Sequence, residues 1–242
     1  MTVIDEILSS LQEDAPIREL RLCVRAAAVW SRRLGLAYSF PRTRCDHDDD
    51  ERPRARKLAQ MSARRVADLA RSEILLDAAL GMAAINSLLD PQPDLFVAGN
   101  AYDLIASRGR GQNVTVVGYF PFLKRLREEV GKLWVLELDP REGCLPVSEA
   151  ANVIPRSRVV VITGSTLINH TFDDLMELAR GRYVIVLGPS TPLTPVLFDA
   201  GVSAVCGSLV DDPQTALRCV SEGLSFRATE GLRPIIMSSD RR

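Results

Sequence analysis

The sequence predicts an α/β protein of two domains: a small α+β domain over about 1–92 and a parallel-sheet domain over about 93–242. Three observations predict it. Apolar runs begin near residues 114, 133, 158, 183 and 202 with helical segments between them, the rhythm of right-handed βαβ crossovers on one sheet. From residue 18 to residue 40 the apolar period is two, as in antiparallel strands. Asp90-Pro91-Gln92-Pro93 stops the first pattern before the second begins and makes the domain boundary.

The chain opens with a predicted helix, where Thr2 and Asp5 fit a capping pattern and Ile4, Ile7, Leu8 and Leu11 share one face. Apolar residues then alternate from Leu20 through Trp30 and, after a Ser31-Arg32-Arg33 turn, from Leu34 through Phe40. That predicts a β-hairpin with one buried face. Residues 41–57 are charged and aperiodic, so a surface excursion is expected. Helices follow near 57–71 and 73–89. The second is apolar nearly all round and should be buried. In the second domain, helices are expected near 120–130, 147–151, 168–180, 193–200 and 212–222, and Pro234-Ile235-Ile236-Met237 as an edge strand.

Composition removes several function classes. Of 242 residues, 46% are hydrophobic and 25% charged, as in ordinary globular proteins. Thirty basic and 31 acidic residues give a formal net charge of −1, which argues against a nucleic-acid partner. No apolar stretch reaches the roughly 20 residues of a membrane helix, and the N-terminus lacks a signal-peptide pattern, so no membrane partner and a cytoplasmic location are expected. The five cysteines are scattered without CxxC or CxxH spacing, the pattern of reduced thiols.

The candidate site lies at the carboxyl edge of the predicted parallel sheet, where such sheets bind ligands. Three Gly–hydroxyl turns are expected there: Gly164-Ser165-Thr166, Gly188-Pro189-Ser190-Thr191 and Gly207-Ser208. Their amides and hydroxyls suit an anionic or polar ligand. The first α/β turn reads Gly118-Tyr119-Phe120-Pro121-Phe122, whose bulk opposes the close approach of a pyrophosphate, so ordinary NAD is not expected as cofactor. Phe120 and Phe122 either pack this turn or form an apolar wall for a planar ligand. Asn169 or Thr171 caps the helix that follows the Gly164 turn, or joins Gly164, Ser165 and Thr166 in holding ligand. Nearby, His170 is a weak catalytic candidate. Glu137, Asp139 and Cys144 are the candidate metal ligands, carboxylate and thiolate both being competent donors. The His47-Asp48-Asp49-Asp50 run reads instead as a solvated loop. Asn86 stands alone in an apolar helix, where its amide needs a partner: a neighbouring backbone or a ligand.

Together these motifs resemble the "putative heavy-metal chelation" family, in which an enolase-N-terminal-like domain precedes a Rossmann-like domain. The resemblance rests on GYFPF at 118–122, LELDP at 136–140, ITGSTLINHT at 162–171, GPSTPL at 188–193 and the Gly201–Gly207 region, with GLAYS at 35–39 and LGMAAINSLL at 80–89 before them. It implies a ligand site in the cleft between the domains. Its residues would be Asn86, Phe120, Pro121, Glu137, Gly164, Thr166, Asn169, Gly188, Ser190 and Thr191. The 41–57 excursion does not match the family pattern.

The leading expectation is therefore a protein that binds or processes a small anionic or metal-chelating ligand, with a metal ion as the cofactor to test. One rival is a metal-independent transferase or lyase for a small phosphorylated or carboxylated metabolite; another is a non-catalytic sensor or carrier for metal uptake. Glu137 is the best acid/base candidate, but no nucleophile–base pair stands out, so the sequence leaves enzymatic activity open. A small-molecule or metal-chelate partner is expected, and a homo-oligomer is allowed.

Overall fold

Helix α1, Val3–Ser10, starts where the sequence places it. Thr2 caps it by accepting from Asp5 N, and the Asp5 carboxylate accepts in return from the Thr2 backbone and hydroxyl. The same carboxylate accepts from Arg71 Nε at 2.7 Å. The guanidinium, then the Thr2 donors, hold its pKa at about 2, below the ordinary 3.8. A carboxyl depressed on folding stabilises fully above its unfolded value; that contribution fades as pH falls from about 4 through about 2. Arg71→Gln is expected to raise the Asp5 midpoint toward 3.8 and to start acid unfolding at higher pH. A carbon-detected NMR titration checks this, and an unmoved midpoint would refute it.

The computed structural model describes residues 1–40, 57–58 and 60–241. Of the expected 41–57 excursion, residues 41–56, with Cys45 and the His47–Asp50 run, lie outside the described residues. The chain divides into two compact units, Met1–Pro91 with Pro192–Thr194 and Ser208–Arg233, and Gln92–Thr191 with Pro195–Gly207 and Pro234–Arg242.

In the first unit, β1 (Glu19–Leu22), β2 (Ala26–Trp30) and β3 (Leu34–Tyr38) form an antiparallel sheet in that order. The predicted hairpin is thus a three-stranded meander, because the chain turns at residues 23–25, inside the alternating stretch. A short helix α2 (Ala63–Ala67), capped by Ser62, leads to α3 (Leu75–Leu88), which is buried nearly all round as expected. Gly35 lets β3 lie directly on α3: a Cβ there would stand 2.0 Å from Ala83 O. A buried hydroxyl pair, Ser31 and Ser87 at 2.6 Å, joins the β2–β3 turn to the same helix. The sheet is buried on both faces, not one. Ala26, Ala28, Leu34 and Leu36 pack against Ala216, Leu217 and Val220 of a helix far along the chain.

Beyond residue 92 the chain runs through β4 (Phe96–Val97), α4 (Ala101–Gly109), β5 (Asn113–Val117), α5 (Leu123–Glu129), β6 (Lys132–Glu137) and β7 (Leu145–Pro146). It continues with α6 (Ala150–Val153), β8 (Val159–Thr163), α7 (Phe172–Leu178), β9 (Tyr183–Leu187) and α8 (Val196–Asp199). The last elements are β10 (Ala204–Val210), α9 (Pro213–Ser221), which covers the antiparallel sheet, and β11 (Leu232–Ser238). Among the described residues, eight strands form one sheet in the order β4-β11-β10-β9-β8-β5-β6-β7. The run from β10 to β7 is parallel, and β11 pairs antiparallel with β4. β11 is therefore interior, with β4 outside it, in place of the expected edge strand. Residues of alternating orientation are buried along β8, from Val159 to Ile162, as required where both faces of a parallel sheet are covered.

No described helix is long and apolar enough to cross a membrane.

Candidate functional site

The parallel order brings the ends of β9, β8, β5 and β6 side by side, so their turns line one carboxyl edge. Gly118 and Gly188, after β5 and β9, have φ of +105° and +126°, a region L side chains rarely adopt. Thr163, the last residue of β8, sits between them. A Cβ on Gly118 would lie 3.1 Å from Thr163 Cβ, and one on Gly188 3.9 Å from Thr163 Oγ1 and from Gly164 N. Gly164 itself is pressed against the neighbouring turn, its absent Cβ only 2.4 Å from Thr191 Oγ1. Gly188 thus lies nearest the Thr163 hydroxyl, Gly118 lies against its carbon atoms, and Gly164 presses on Thr191.

Of the expected hydroxyls, several are consumed internally. Thr166 is buried and its hydroxyl donates to Thr163 O at 2.7 Å. Asn169 Oδ1 accepts from Thr171 N and Oγ1, closing the loop before α7, and Thr171 takes the N-cap position without a side-chain cap bond. His170, between them, is the one non-glycine with positive φ (59°) among the described residues. Gly188–Thr191 is a β-turn closed by Thr191 N donating to Gly188 O at 3.0 Å, and it buries Ser190 and Thr191. Among the described residues the Thr191 hydroxyl has no hydrogen-bond partner, an unusual state for a buried polar atom.

Thr163 and Ser165 differ from these because both are only half-buried. Their hydroxyls lie 3.0 Å apart, and Ser165 N also donates to Thr163 Oγ1 at 3.5 Å. Each hydroxyl carries one proton, so when one donates to the other, a single O–H is left pointing elsewhere. Thr163 falls within the ITGSTLINHT motif but is not among the expected ligand residues; its half-buried hydroxyl beside Gly118 and Gly188 is what brings it forward.

The other expected residues are placed as follows. Phe120 and Phe122 stack on each other, centroids 5.3 Å apart, and pack against the core of the parallel sheet; Pro121 between them is exposed. The ring that reaches solvent is Tyr119, 52% exposed, with the Arg141 guanidinium 5.1 Å from its centroid. Glu137, half-buried at the end of β6, accepts from Leu138 N at 3.2 Å. Asn86 belongs to the first unit, where its amide donates to Leu36 O at 2.9 Å and ties α3 to β3. Gly207-Ser208 is not a turn: β10 runs straight through it, and the third expected Gly–hydroxyl turn is absent.

Metal donors are not assembled among the described residues. Asp139 is exposed and Cys144 half-buried, and no group of three or more His, Cys, Asp or Glu side chains there could hold an ion. The Cys206 thiol, whose backbone carbonyl accepts from Gly188 N, is buried, and burial pushes its pKa up to about 12. Burial thus favours the protonated thiol, which is a poor nucleophile near neutral pH.

Fold and edge define a two-unit α/β protein with a Rossmann-like parallel sheet and a small antiparallel sheet. The chain belongs to the DUF364 family, whose model, described as "Putative heavy-metal chelation", matches residues 100–235. A second model with the same description, DUF4213, matches residues 4–89. The crystal structure of a DUF364 protein of unknown function from Desulfitobacterium hafniense is similar over 98% of this chain and 97% of its own, with a TM-score of 0.86 and 26% identity. A DUF364 protein of unknown function from Pyrococcus horikoshii shares the fold, with a TM-score of 0.80 and 17% identity over 98% of each chain. An uncharacterized protein of Methanocaldococcus jannaschii, MJ0500, is 27% identical over 158 residues, which are 62% of this chain and 61% of that protein.

Proposed function

We propose that the carboxyl edge around Thr163 binds a small anionic, metal-chelating ligand. The observation that carries this reading is the half-buried Thr163/Ser165 hydroxyl pair beside the Gly188 turn. The pair keeps one O–H to donate outward, which selects an acceptor such as a carboxylate or phosphate oxygen. The family description supports chelation. The described side chains offer no three-donor metal group, so in this reading the metal enters as cargo on the chelator, not in a protein cage. Glu137 faces the part of the ligand that bears the cation or a donor group.

Native mass spectrometry of freshly purified protein, paired with metal analysis, identifies a retained chelate by mass. Thr163→Val keeps the shape of the strand end and removes the hydroxyl. It is expected to weaken chelate binding roughly tenfold, the worth of one hydrogen bond to a charged group. Unchanged affinity in calorimetry, with the fold intact, would remove Thr163 from the site. Absence of micromolar binding for both metals and chelates would remove the function itself.

A further inference from the structure

The edge holds a second recognition element that the hydroxyl pair does not use. Tyr119 follows Gly118 directly, and its ring is half exposed although its neighbours Phe120 and Phe122 are packed inward. Arg141 lies over this ring. The arginine is not on a loose loop: Cys144 N donates to Arg141 O at 2.9 Å, and Gly143, the third residue of that turn, has φ +80°, the signature of a type II β-turn. Leu138, on the same β6–β7 connection, is 63% exposed. A ring, a guanidinium and an apolar side chain thus stand in water on the connections after two adjacent strands.

We infer that Tyr119 and Arg141 form a clamp for a planar, aromatic part of the ligand, so that the proposed chelator is an aromatic one carrying a carboxylate or phosphate arm. The inference rests on the reading of the Thr163 edge given above. A guanidinium lying on a ring is a flat cationic surface, and such surfaces accept a second π-system by stacking and an anion by charge. Spacing sets the size. β8, β5 and β6 are consecutive in the sheet, so a molecule reaching from the Thr163/Ser165 pair to the Arg141 connection crosses two strand spacings, roughly 10 Å. A bare metal ion, phosphate or citrate is too short for that span. A single aromatic ring with an amide-linked acid arm fits it.

The test compares two probes, dihydroxybenzoylglycine and citrate, each as its ferric complex, by calorimetry on the full chain. The aromatic chelate is expected to bind roughly tenfold or more tightly than citrate, the usual worth of one stacking platform. Tyr119→Ala should abolish that preference and Tyr119→Phe should keep it. Arg141→Gln should weaken the aromatic chelate by about the same factor, with the thermal midpoint unchanged because both side chains are exposed. Equal affinity for the two probes, or a preference that survives Tyr119→Ala, overturns the clamp. Thr163→Val separates the two readings: if it weakens both probes while Tyr119→Ala changes neither, the edge stands and the clamp falls. If neither probe binds, both fall.

Discussion

Gly35→Ala is expected to destabilise the protein by about 3 kcal/mol or more, a large share of the net stability of a typical domain. The added methyl would stand 2.0 Å from Ala83 O, 2.4 Å from Ser87 N and 2.8 Å from the carbonyl carbon of Asn86. All three are backbone atoms of one buried helix, so no rotamer change can make room. Relief requires α3 to lift from β3, which breaks the Asn86–Leu36 and Ser31–Ser87 hydrogen bonds together. Gly181→Ala is the internal control. Its φ is +71° but nothing lies within 4 Å of the new methyl, so only backbone strain of about 1 kcal/mol is expected. Urea unfolding followed by circular dichroism reads both. Equal midpoints for Gly35→Ala and the unaltered protein would show that the helix contact is softer than its geometry.

Gly164→Ala is the second large effect, and it falls on the site. Its methyl meets Thr191 Oγ1 at 2.4 Å, Thr191 N at 2.8 Å and Thr191 Cα at 2.9 Å. The expected cost is about 2 kcal/mol, with chelate binding lost because the Gly188–Thr191 turn is pushed away from Thr163. Adding Thr191→Ala deletes the hydroxyl, the nearest of the three obstacles, but leaves the two backbone atoms. The double variant should therefore recover part of the stability and little of the binding. Thr191→Ala alone is milder than most buried truncations, since the hydroxyl it removes has no hydrogen bond to lose. A double-mutant cycle measures the coupling. Strict additivity would mean that the two turns do not press on each other.

Much of this fold is legible in the chain. β8 and β9 announce themselves because both faces of a parallel sheet are covered, so their runs are apolar without interruption. α1 is legible from its capping box, and α3 from apolarity on every side. Local pattern fails where a longer-range fact decides. Ala101–Gly109 is short and sets Asp103, Ser107 and Arg108 among its apolar residues, and its helix takes meaning only from Ile105 and Ala106 docking on the sheet. The turn at 23–25 hides inside an alternating stretch because Cys23 and Arg25 keep the period of two across it. Gly207 reads as a turn residue, yet β10 continues through it on the strength of its neighbours.

The candidate edge was legible as a place, and less so as a set of side chains. Gly118, Gly164 and Gly188 mark it from sequence. Which hydroxyls reach solvent depends on how the turns close: Thr166, Ser190 and Thr191 turn inward, while Thr163 and Ser165 stay half-buried. Similarly, no spacing rule distinguishes Tyr119 from the two phenylalanines after it. Only packing does.

The helix Pro213–Ser221 bears on how the molecule is made. Its Ala216, Leu217 and Val220 complete a face begun by Ala26, Ala28, Leu34 and Leu36, nearly two hundred residues earlier in the chain. On the ribosome, the antiparallel sheet emerges with that face bare and keeps it bare while the nearly two hundred residues up to the helix are made. Such a segment must be shielded by chaperones or remain unstructured until residues Pro213–Ser221 arrive. A fragment cut at the proline-rich junction near residue 92 would keep the exposed face for its whole life, and aggregation is the natural fate of such a surface.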